Sequence, residues 1–133
     1  MDLAISGANG YANTVSFPLL VTTNRGFSDD AERGTNGWTH SGTSDNWHQT
    51  AHRSQSPSNS WYCGSEGSWR YTDQNDARLM SPYFVTGDSA LVSFDQWYNV
   101  EQDYDYCMPE INNGSKFWIP LASYTGTNSD WEH

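Results

Sequence analysis

Basic side chains are scarce in this 133-residue chain: Lys and Arg together number 6 against 16 Asp and Glu, for a formal net charge of -10. A surface so acidic repels phosphate backbones, which removes nucleic acid from the partner classes. Cysteine is almost absent. Cys63 and Cys107 are too few for a four-thiolate zinc site and too far apart for a redox motif. In an oxidising compartment one disulfide between them would stabilise the fold by roughly 3 to 5 kcal/mol, and two unpaired thiols are the alternative. No run approaches the ~20 apolar residues that cross a bilayer. The opening residues lack the basic and apolar regions of a signal peptide, so an export signal would belong to a longer precursor.

Catalytic patterns are missing too. No glycine-rich phosphate loop precedes a helix, and no serine stands in a G-x-S-x-G turn. His48 and His52 have i,i+4 spacing, but Gln-Thr-Ala between them supplies no general base for a zinc hydrolase. Glu101 and Asp105 would suit a paired-carboxylate glycosidase only if they faced one another across a pocket.

Aromatic residues are plentiful. Seven Trp, eight Tyr and five Phe make up 15% of a chain that is only 35% hydrophobic. Such rings bury large apolar areas while their polar edges stay hydrated, which argues for a folded domain over disorder. No apolar stripe at helical spacing persists. Short apolar runs separated by Ser, Thr, Asn, Asp and Gly indicate strands joined by turns, hence an all-β domain of sandwich type.

The expected strands are residues 15–21 (V-S-F-P-L-L-V), 79–85, 90–100 and 117–121. Pro18 and Pro82 confine their strands to edges or bulges. In 90–100 the alternation is clearest, with Val92, Phe94, Gln96, Tyr98 and Val100 on the face expected to point inward. Residues 1–25 are expected to be the end of a preceding β element or a linker, with the sandwich over 26–133. Little chain follows Leu121 to supply closing strands. An open edge of this kind favours a strand-exchanged oligomer, which a concentration-dependent size would reveal.

Carboxylates cluster at Asp29-Asp30-Ala31-Glu32, around Asp73 and Asp76, and at Glu101, Asp103 and Asp105. Calcium takes six to eight oxygens, so two such loops brought together would form a site without an EF-hand. A merely solvated acidic face is the competing reading. The block S-P-S-N-S-W-Y-C-G-S-E over 56–66 sets a hydroxyl-rich turn before Trp61. Trp38, Trp47, Trp61, Trp69 and Trp97 invite a reading as rings that stack on a sugar, against the commoner role of packing, and polar flanks make Trp61 the preferred exposed one.

The order of these blocks resembles a family: the secreted β-sandwich domains related to the C-terminal region of immune inhibitor A peptidases, with a looser likeness to MAM-type jelly rolls. It is carried by Asp29-Asp30-Ala31-Glu32, Gly37-Trp38-Thr39, Trp47, His52-Arg53-Ser54, Ser60-Trp61-Tyr62-Cys63-Gly64, residues 76–82, Leu91-Val92-Ser93-Phe94, Trp97-Tyr98, Glu101 and Tyr104-Asp105. The resemblance implies a jelly-roll-like sandwich, incomplete at its C-terminal end, acting as a noncatalytic accessory domain of a bacterial secreted or cell-surface protein. Its partners would be neighbouring domains, a glycan or a surface protein. It also implies structural calcium at Glu32, Asp76 and Asp105. The sequence departs from the family where Tyr106-Cys107-Met108-Pro109 stands in place of a small glycine-rich turn.

Overall fold

A computed structural model describes residues 3–6, 12–15, 26–86 and 88–133. Every regular element in it is a strand, as the turn-rich sequence requires, and the pairing is antiparallel throughout. β1 (Leu3–Ser6) pairs with β2 (Ala12–Val15) as a hairpin. The expected strand at 15–21 lies outside the described residues apart from Val15, which ends β2.

Two ladders nest one within the other. β3 (Thr39–Thr43) pairs with β6 (Asp76–Met80), and between them in sequence β4 (Trp47–Thr50) pairs with β5 (Ser60–Cys63). β6 stops short of Pro82, which has no N–H to offer a ladder. The β3–β6 pair approaches closely at Gly42, whose φ of 135° lies outside the range of L side chains. A Cβ there would lie 2.7 Å from the Ala77 Cα.

A second, irregular hairpin uses the rest of the chain. β7 (Glu110–Ile111) and β8 (Ile119–Pro120) form its closed end around the Asn-Asn-Gly-Ser turn. Isolated bridges Cys107 to Tyr124, Asn99 to Thr127 and Gln96 to Glu132 carry it outward. The residues after Leu121 therefore serve as the returning strand of this hairpin.

The sequence alternation suggested a continuous strand over 90–100, and the structure corrects this. Pairing begins only at Gln96, and it is interrupted at once. Asn128, 6% exposed, turns its side chain into the ladder, where its Oδ1 accepts the Tyr98 N–H at 2.7 Å in place of a backbone carbonyl. Further along, residues 101–105 bulge outward, with Tyr104 and Asp105 both donating to the Glu101 carbonyl and Asp103 at φ 64°. Val92 and Phe94, expected inside, are 51% and 38% exposed.

Apolar contact is made mainly between rings. Phe27 meets Trp38 edge-on at 5.5 Å and stacks on Phe84 at 5.9 Å, while Trp38 lies tilted 6.2 Å from Trp61. This joins residues 26–38 to the chain leaving β6, beside the Gly26 N–H donating to the Val85 carbonyl at 2.8 Å. Offset and edge-on pairs of this kind add ~0.5–1.5 kcal/mol beyond their burial. Among the described residues no large side chain is fully buried, and Tyr83, Leu91 and Tyr104 stand largely in solvent.

Candidate functional site

An aromatic cleft of about 70 Å³ is lined by Trp61, Trp69, Trp97, Trp131, His52 and Arg53, together with Thr50, Ser60 and Tyr62. A wider depression of about 200 Å³ lies along β3 and β6 beside Asp76 and Arg78, but it is shallow and offers no ring to a ligand.

Local hydrogen bonds explain why the cleft forms. Thr50 and Ser60 face each other at the end of the β4–β5 ladder. The Thr50 hydroxyl accepts the His52 N–H at 3.1 Å, and the Ser60 hydroxyl donates to the Arg53 carbonyl at 2.5 Å. The two hydroxyls thus fix the turn that presents His52 and Arg53. His52 stacks on Trp69 with 3.5 Å between centroids and 8° between planes. The Arg53 guanidinium lies 3.8 Å over the Trp97 ring, bringing the irregular hairpin against the β4–β5 connection. Trp131 arrives with the Gln96–Glu132 bridge.

The far side of the β4–β5 connection is held by Glu32. Its Oε1 accepts the Asn59 N–H at 2.8 Å, the Ser58 N–H at 3.1 Å and the Ser56 hydroxyl at 3.1 Å, and its Oε2 accepts Asn59 Nδ2 at 2.8 Å. The Asn59 N–H foremost, with the other donors, holds the carboxyl below its ordinary range against an opposing effect of desolvation. Asp29 does similar work nearby, accepting from Asn36 Nδ2 at 2.7 Å and Trp38 Nε1 at 2.9 Å.

Glu32, Asp76 and Asp105 therefore occupy three different settings. Glu32 fastens the 56–59 turn, Asp76 opens β6, and Asp105 accepts the Tyr71 hydroxyl, which also receives the Glu101 N–H at 3.2 Å. Among the described residues no group of three or more His, Cys, Asp or Glu side chains is arranged to hold a metal ion. A carboxylate has about four lone-pair sites, and Glu32 already meets four donors. Among the described residues these three are not gathered into one such group.

Trp61 is part-buried in β5, with its ring tilted towards Trp38 and its edge in the cleft. Trp69, one of the five Trp residues that invite a sugar-stacking reading but not the preferred one, presents the more open ring at 37% exposure. Its φ of 55° lifts it out of the Ser65–Arg70 turn, where its N–H donates to the Ser65 carbonyl. The indole N–H groups of Trp61 and Trp97 are buried and meet no protein acceptor among the described residues.

Both cysteines are free thiols. Burial pushes Cys63 and Cys107 up, and the charge of Cys63 adds to the rise at Cys107. Asn75 Nδ2 donates to the Ser44 carbonyl at 2.8 Å and sits 3.6 Å from the Cys63 sulfur, fastening the chain between β5 and β6.

Known proteins give one point of reference. Bacillopeptidase F of Bacillus subtilis (strain 168) is 29% identical over 116 aligned residues, which cover 80% of this chain and 8% of that protein. The chain thus spans less than a tenth of its relative's length. No family model matches the chain, and no solved structure does. Among the described residues no helix is long and apolar enough to cross a membrane.

Proposed function

We propose that this chain is a noncatalytic accessory domain of a bacterial secreted or cell-surface protein of the multidomain peptidase kind, serving adhesion, spacing or substrate positioning beside neighbouring domains. The similarity that runs along most of this chain but covers 8% of Bacillopeptidase F carries the reading. The cleft fits it in chemistry: its lining holds rings, hydroxyls, one His and one Arg, with no carboxylate pair and no nucleophile held by a base. The purified chain is expected to leave casein intact over long incubation. Release of peptides by the chain alone would overturn the proposal.

Calcium stabilisation enters as a proposal resting on the acidic balance and the resemblance to immune inhibitor A domains. With Glu32 engaged at the 56–59 turn, backbone carbonyls and water would have to supply most of the oxygens. EDTA is expected to lower the melting temperature and excess calcium to restore it. A melting curve indifferent to both removes calcium from the account.

A carbohydrate-binding role is the second reading, favoured by the convergence of four Trp side chains on one cleft. Flat indoles match the apolar face of a sugar ring. In this reading Trp61 contributes to the lining, and Trp69 offers the part of its ring that the stacked His52 leaves exposed.

A further inference from the structure

The carbohydrate reading can be narrowed by the charge and the hydrogen-bonding character of the cleft. Carboxylates outnumber Lys and Arg by 16 to 6 across the chain, yet no Asp or Glu lines this concavity, whereas His52 and Arg53 do. Ion pairs among the described residues join His40 to Asp45, His48 to Glu66, Arg78 to Glu110 and His133 to Asp95, and none engages Arg53. Its guanidinium rests on Trp97, which covers one face and leaves the fork of N–H groups for a partner.

Beside its rings the same lining offers hydroxyl, imidazole and guanidinium groups, of which only the guanidinium is a fixed charge. Indole and guanidinium groups only donate. The Thr50 hydroxyl accepts the His52 N–H and keeps its own proton, while the Ser60 hydroxyl donates to the Arg53 carbonyl and keeps its lone pairs. A suitable ligand therefore brings acceptors and negative charge to Arg53 and a flat apolar face to the rings. A volume of about 70 Å³ admits a group the size of a carboxylate but not a whole sugar, which would lie across the part of Trp69 that the stacked His52 leaves exposed.

We infer that this cleft binds a uronic-acid-bearing glycan, its carboxylate directed to Arg53 and its ring resting on Trp69. The inference rests on the carbohydrate reading and adds selection for the acid. Four indoles exceed what an acidic peptide side chain requires, which favours the sugar.

The test is calorimetric titration of the full chain with oligogalacturonate and with the same oligosaccharide methyl-esterified. The free acid is expected to bind on the order of 10-fold or more tightly, because a hydrogen bond to a charged group is what the ester loses. Arg53→Gln should erase that preference, and Trp69→Ala should weaken both ligands. Arg78→Gln, a charge change outside the cleft, should leave both unchanged. R53Q gives up the stack on Trp97, so a small drop in melting temperature is expected and the titrations are run well below it. Equal binding of acid and ester overturns acid selection while leaving the carbohydrate reading in place. Binding of neither overturns both, and preferential binding of a polyglutamate peptide overturns the glycan assignment.

Discussion

Gly42→Ala is expected to cost about 3 kcal/mol or more and to open the β3–β6 ladder, because strain and collision act together at that position. The φ of 135° is outside the range an L residue adopts comfortably. The added Cβ would also press on the Asp76 carbonyl oxygen and lie 2.7 Å from the Ala77 Cα. Both obstacles are backbone atoms of the paired strand, so no side-chain rotation relieves them. Gly34 separates the two effects. It has a φ of 70°, and a methyl group added there would meet nothing within 4 Å, so Gly34→Ala should cost only about 1 kcal/mol of strain. Thermal melting of both variants, with hydrogen exchange along β3 and β6, checks the difference. Equal losses would show that the close approach of β3 to β6 contributes nothing.

The same ladder shows how far sequence reasoning reaches. Turn-forming residues between short apolar runs led to strands without helices, and that reading holds because local backbone preference decides it. Of the expected strands, 117–121 contains β8, while 79–85 is strand only at Leu79 and Met80, the end of β6; β5 fell in a block read as a turn before an exposed ring. The run 90–100 failed for a nonlocal reason. Alternation reports that a segment is able to bury one face, but only the chain returning over 124–132 decides where it finds a partner, and there Asn128 substitutes its side chain for a backbone acceptor.

The candidate site divides in the same way. Trp61 was legible from its polar flanks. Trp69 owes its prominence to a positive φ, and Arg53 owes its position to Trp97 on the other hairpin, neither of which spacing reveals. Glu32 drew attention as a carboxylate suited to calcium, while its nearest donors come from the 56–59 turn. A cue was present in that turn, where Ser56, Ser58 and Asn59 surround Pro57: a tight loop with inward N–H groups needs an acceptor from elsewhere in the chain.

Glu32 also yields a prediction with a defined pH signature. Glu32→Ala should lower the melting temperature near neutral pH by several degrees, since the Ser58 and Asn59 N–H groups and the Ser56 hydroxyl lose a shared acceptor. Glu32→Gln keeps an acceptor oxygen but loses the charge and should fall between. Because folding holds the Glu32 carboxyl below its ordinary range, the folded state binds fewer protons there than the unfolded chain. Stability from this group is therefore complete above the ordinary carboxylate range and is lost as pH falls through the lowered folded value. Melting curves of wild type and E32Q should lie furthest apart near neutrality and converge in acid. A gap that stays constant down to strongly acidic pH would show that the charge of Glu32 does not hold the turn. Loosening the turn also reaches the cleft, because Ser60, one residue beyond Asn59, anchors the Arg53 carbonyl. Faster amide exchange at Ser58 and Asn59 should therefore accompany weaker ligand binding in E32A, although Glu32 itself does not line the cleft.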